Sequence, residues 1–196
     1  MKTVDRLVHI LPVLALMTGI AGGMFYGKGP PPAATNAPGE GACQTGRCHV
    51  QYQLNNGPGI LNTAGIPNTY QPGERYPLAI SLSQDGQKRW GFQLTVLDSA
   101  HQPAGDLILS DEQLTQKKSE VMPDQSERQY IEHTVEGTYP GIITGPVTWK
   151  VIWQAPSEDA GPVFFYTAAN AANSNKKPWG DYIYTRIDTV LLSPPE

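Results

Sequence analysis

Apolar residues alternate with polar or small ones along most of this chain. Tyr76, Leu78, Ile80 and Leu82 recur at every second position after Arg75, which is the period of a half-buried strand. Asp85-Gly86 then marks a turn. Trp90 to Asp98 sets Trp90, Phe92, Leu94 and Val96 on one face, and Val147 to Ala155 does the same with Val147, Trp149, Val151 and Trp153. These two stretches are expected to be the central core strands. Tyr130 to Val135, Val163 to Ala169 and Tyr182 to Leu192 follow the same period less strictly, and shorter strands are expected at Val50 to Leu54 and Leu107 to Leu109. Clusters such as Gln71-Pro72-Gly73, Gln102-Pro103-Ala104-Gly105 and Pro140-Gly141 punctuate them. Only Ser110 to Lys118 carries a trace of helical period. The pattern predicts an all-β chain, an antiparallel β-sandwich of about eight strands.

Composition supports this and excludes other classes. Charged residues make up 16% of the 196, and there are 20 Gly and 18 Pro, so the chain is turn-rich and poor in long helices. The net charge of −4 with no run of Lys or Arg lacks the electrostatic footprint of nucleic-acid binding. No G-x-S-x-G, H-E-x-x-H, G-x-x-x-x-G-K-[ST] or G-x-G-x-x-G is present, so catalysis without a cofactor has no motif to rest on and the chain reads as a non-enzyme.

The chain divides into three parts. Residues 1–26 hold the apolar run Leu7 to Tyr26 behind Lys2 and Arg6, of a length between a secretory signal and a spanning helix. Pro12 and the glycines 19, 22 and 23 speak against a buried soluble helix. An export signal or a membrane anchor through residues 7–26 is expected. The rest is then periplasmic or extracellular. Residues 27–41 are rich in Pro and Gly and read as an extended spacer, and residues 42–196 form the sandwich domain.

The order of motifs is distinctive: Ala37-Pro38-Gly39-Glu40 ahead of a Cys, Tyr70-x-Pro-Gly-x-x-Tyr76, Trp90-Gly91-Phe92-Gln93, Glu132-His133-Thr134, Trp153-Gln154-Ala155-Pro156, and Gly161-Pro162-Val163-Phe164-Phe165-Tyr166. This set resembles the reelin-type (reeler) domain in its bacterial form, over about residues 37–186. The resemblance implies an immunoglobulin-like sandwich used outside the cytoplasm. In animals such domains are extracellular interaction modules, and they also stand beside haem-binding domains in ferric-chelate reductase-like proteins. Animal members carry further cysteines that this chain lacks, so their disulfide pattern does not transfer. Bacterial relatives often show Cys-x-x-Cys-His at the first cysteine, where this chain has a longer spacing.

Both cysteines of the chain fall in Cys43-Gln44-Thr45-Gly46-Arg47-Cys48-His49. Covalent haem c attachment needs two thiols for the vinyl groups and an adjacent imidazole for the iron, which Cys43, Cys48 and His49 would supply. The same spacing also suits a small-loop disulfide in an exported protein, or a metal site lacking a fourth ligand. For a haem, the sixth iron position needs a second donor. His133 is the best candidate: alternation sets it on a face with Ile131 and Val135, and the reeler resemblance includes a histidine there. Met122 is a weaker candidate, and His101 reads as a solvated loop residue. Among the aromatics, Trp179 lies in a loop and is the one to expect at a contact, while Asp181 reads as a turn former. Two functions remain open. One is an exported monohaem c-type electron-transfer protein that meets a redox partner protein. The other is a non-catalytic extracellular module that binds a protein or glycan ligand, with a Cys43–Cys48 disulfide.

Overall fold

The computed structural model describes residues 27–43, 49–177 and 179–194. The expected signal or anchor at 1–26 and the expected haem or disulfide cysteine Cys48 lie outside the described residues. Among the described residues ten strands follow one another: β1 (Ile60–Ala64), β2 (Thr69–Tyr70), β3 (Arg75–Ser83), β4 (Arg89–Asp98), β5 (Asp106–Leu109), β6 (Thr115–Val121), β7 (Glu127–His133), β8 (Val147–Gln154), β9 (Val163–Ala172) and β10 (Tyr182–Leu192). They form a four-stranded sheet, β1-β3-β8-β5, and a six-stranded sheet, β2-β10-β9-β4-β7-β6. All described pairings are antiparallel except the short β10–β2 contact. Among the described residues no helix is long and apolar enough to cross a membrane.

The alternation that predicted the strands also builds the core. β3 meets β8 with Ile80 opposite Trp149 and Leu78 opposite Val151, so one face of each strand turns inward. Trp90, Phe92, Leu94 and Val96 of β4 face them from the other sheet, all nearly or fully buried. Phe92 stacks on Trp149 at 4.5 Å between ring centroids, and Phe165 meets Trp153 edge-on at 4.9 Å. Buried indoles need a partner for their N–H. Trp149 donates to Gly137 O at 2.8 Å, Trp153 to Ala104 O at 2.9 Å and Trp90 to Ile142 O at 2.9 Å.

Two local expectations fail for identifiable reasons. Ser110 to Lys118 forms no helix: Asp111 Oδ1 accepts the N–H groups of Gln113 and Leu114, the Asp111 carbonyl accepts Thr115 N–H, and the chain turns straight into β6. Val50 to Leu54 is not a strand either. It lies as irregular chain beside β10, with the Tyr52 ring stacked on Tyr182 at 4.1 Å and Asn55 N–H donating to Ile183 O.

The Pro/Gly-rich stretch read as a spacer is docked on the outer face of the six-stranded sheet. Gln93 projects outward from β4; its Oε1 accepts Ala34 N–H at 2.8 Å and its Nε2 donates to Pro31 O at 3.0 Å. Further along, Arg128 of β7 donates to the Glu40 carboxylate at 2.9 Å and to Pro38 O at 2.9 Å, and Tyr130 donates its hydroxyl to the same carboxylate at 2.7 Å. Burial and the Glu40 charge push the Tyr130 phenol up, so it stays a donor. Composition favours an extended conformation for this stretch, but the outward polar side chains of β4 and β7 supply the partners that hold it down.

Glu132 lies beneath the same stretch, 1% exposed, accepting from Gln93 Nε2 at 2.8 Å and Gln116 Nε2 at 3.1 Å. Burial pushes its carboxyl from 4.5 up to about 7, against the opposing pull of these bonds and of Lys118. A carboxyl raised on folding binds its proton more tightly in the folded protein, so its contribution is complete below pH 4.5 and is lost as the pH rises through about 7. Urea unfolding across that window should show falling stability in the native chain, and a much flatter profile in Glu132→Gln.

Candidate functional site

His49 and His133 both lie against the outer face of the six-stranded sheet, and Cys43 follows the stretch docked on that face. Trp90 and Phe92 point into the core, so Gly91 and Gln93 between and beyond them point outward. Gly91 sits opposite Asn170 of β9, which in turn sits opposite Ile183 of β10. Both histidines lie against this outward row.

His49 reaches it from the chain preceding β1. Its Nδ1 lies 2.8 Å from Asp181 Oδ2, and its Nε2 lies 3.2 Å from Asn170 Nδ2. Asp181 is 5% exposed and its other oxygen accepts Asn173 N–H at 3.0 Å, so the carboxylate is fixed at both ends. The loop between β9 and β10 holds Asp181 in place. Asn173 and Asn175 donate their side-chain amides to Trp179 O at 3.3 and 2.9 Å, and Gly180 N–H donates to Gln51 Oε1 at 2.6 Å. Gly180 takes φ +84°, and a β-carbon there would run into the Asn173 amide. The turn-former reading of Asp181 is therefore incomplete, since its side chain anchors His49. Trp179 stands exposed on this loop with Lys177 Nζ 5.9 Å from its ring centroid.

His133 arrives from the other side. β7 pairs with β4 only at Gln93↔Glu132 and Leu94↔Ile131. At the next step His133 Nδ1 takes the place of a backbone partner, 3.1 Å from Phe92 N and 3.2 Å from Phe92 O. It accepts from the amide when bare and donates to the carbonyl when protonated. The ring lies over Gly91, where a β-carbon would come within 2.7 Å of His133 Cε1. The expected shared face with Ile131 and Val135 is thus broken: Ile131 is in the core, Val135 is 42% exposed, and the imidazole lies over the outward side of Gly91. Gly91→Ala is expected to push the ring away, leaving Phe92 N–H without its acceptor at a cost of about 1–3 kcal/mol in chemical denaturation. A strand-interior glycine is the sequence signal for such a close approach, and Gly91 was the residue that carried it.

Cys43 is placed by the docked stretch. Its Sγ lies 3.7 Å from Ala34 O, and Ala34 is the residue held by Gln93, the next outward position of β4 after Gly91. Met122 is not brought here. It is buried against Tyr130 before the start of β7, with the Tyr130 hydroxyl 3.9 Å from its Sδ, whereas His133 ends that strand. His101 stays in the loop after β4, where its carbonyl accepts from Arg128. Among the described residues no three His, Cys, Asp or Glu side chains gather as a metal site.

No family model matches the chain, and no curated protein does. Among solved structures, the chain is similar to the Reelin-N domain of F-spondin at 20% identity, covering 75% of this chain and 96% of that one, with a TM-score of 0.47. It is similar to a human F-spondin reeler domain at 19% identity, covering 72% and 93%, with a TM-score of 0.45. A cohesin module from a Clostridium perfringens family 33 glycoside hydrolase is also similar, at 7% identity, covering 69% and 95%, with a TM-score of 0.43.

Proposed function

We propose that this protein is an exported, non-catalytic binding module, and that the group held on its outer sheet face is a covalently attached haem c. The observation that carries this reading is the anchoring of His49. A histidine that ligates a metal almost always donates its second ring N–H to a carboxylate or carbonyl, which fixes the ring and makes the ligating nitrogen more basic. His49 Nδ1 has that partner in the buried Asp181. His133 Nδ1 would have its own at the Phe92 carbonyl once it exchanges the Phe92 amide it otherwise accepts from, and both rings lie at the outward row of Gly91 and Asn170. In this reading Cys43 and Cys48 would hold the group through thioether bonds, and His49 and His133 would be its iron ligands. Bound haem would supply one-electron chemistry, with the protein setting its potential through ligand identity and burial. Such a module would pass electrons to a partner protein.

A second reading keeps the module and replaces the haem by a Cys43–Cys48 disulfide. One observation favours it: Asn170 already meets His49 Nε2, so the histidine has a structural place without any cofactor. The module would then bind a protein or glycan ligand outside the cytoplasm. Intact mass separates the two readings. Produced in cells that mature c-type haem, the protein should gain the mass of one haem, and Cys43→Ser with Cys48→Ser should abolish the gain. A native chain two hydrogens lighter than its sequence, with no added group, would overturn the haem reading and leave the disulfide module.

A further inference from the structure

We propose that Asp181 is the positioning residue that presents His49 for ligation, and that Asn170 is the side chain occupying the ligating nitrogen until the ligand arrives. The inference deepens the haem reading and rests on it for its redox consequence. Its geometric part is independent of any cofactor.

With Asp181 as acceptor, His49 is held with the proton on Nδ1 and the lone pair on Nε2. That lone pair points at Asn170, whose amide donates to it at 3.2 Å, near the long end of the useful range. The other end of the same amide is poorly served: Asn170 Oδ1 is buried and without a hydrogen-bond partner. One long contact and one unmet oxygen on the same side chain make it the cheapest group at the site to displace. Asp181 is the reverse. Both of its oxygens are engaged, its backbone follows a glycine that no other residue replaces without collision, and three side chains close the loop that carries it. The strong, rigid partner stands behind the imidazole and the weak, movable one stands in front. That order leaves Nε2 as the nitrogen that can be freed without disturbing the Nδ1 anchor.

The test has two arms. In the first, nitrogen-15 NMR of the haem-free protein reads the His49 tautomer. The native chain should show Nδ1–H with Nε2 bare, and Asp181→Ala should shift it toward the Nε2–H form, while Asn170→Ala leaves it as in the native chain. A native His49 in the Nε2–H form would overturn the positioning role. In the second arm, the haem-loaded Asp181→Asn variant should keep its haem content but show a more positive midpoint potential, because a neutral partner makes the His49 ring less electron-rich, and Asp181→Glu should restore it. An unchanged potential in Asp181→Asn would overturn the proposal as well. Should no haem attach to the native chain while the tautomers behave as stated, the haem reading fails and the positioning by Asp181 stands.

Discussion

Glu40→Ala is expected to destabilise the protein by about 3–5 kcal/mol, the range seen when one partner of a buried ion pair is removed. The reason lies in what stays behind. Arg128 is 4% exposed and its Nε already lacks a partner, so without the Glu40 carboxylate its charge would rest only on the Pro38 and His101 carbonyls. Tyr130 would lose the acceptor of its buried hydroxyl, and Thr35 would lose the 2.6 Å bond that closes the turn from Thr35 to Glu40. The consequence reaches the site, because Ala42 bridges back to Thr35 and Cys43 follows it. Urea denaturation measures the loss. Glu40→Gln, which keeps the shape and removes the charge, should recover only part of it.

Trp149→Ala is expected to cost about 3–5 kcal/mol, through a cavity in a core that relaxes only partly around it. Trp149 is fully buried, stacks on Phe92, meets Tyr139 edge-on at 5.8 Å, and ties β8 to the 3-10 turn at Glu136–Thr138 through its bond to Gly137 O. That turn follows directly on His133, so the loss should loosen His133 together with the core. Trp149→Phe fills most of the space without the N–H. It should fall between the native chain and the alanine variant in the same denaturation series.

The core was legible in the sequence because its strands are long and strictly alternating. Trp90 to Val96 and Val147 to Trp153 could take no other period, and Tyr182 to Leu192 matches β10 at both ends. β1, β2 and β6 were not legible. Ile60-Leu61-Asn62-Thr63-Ala64 is half polar, Thr69-Tyr70 is too short for any period, and Thr115 to Val121 carries mostly charged and polar residues at a sheet edge, where burial imposes no pattern. In the sequence, Cys43, Cys48, His49 and His133 stood out as candidate chemistry because of their types and spacing. Asp181 and Asn170 were not, since each lies more than 120 residues from His49 in the chain and only the β9–β10 register brings them to it. The docking of residues 27–41 was invisible for a similar reason: its partners, Gln93, Arg128 and Tyr130, look like ordinary outward strand residues until the face is covered.

The most direct measurement is the visible spectrum of the exported protein before and after dithionite, repeated on the polypeptide after acid–acetone extraction. A haem held by thioether bonds at Cys43 and Cys48 would give a reduced α-band that stays with the polypeptide through the extraction and is lost in His49→Ala. A colourless polypeptide under the same conditions would contradict it.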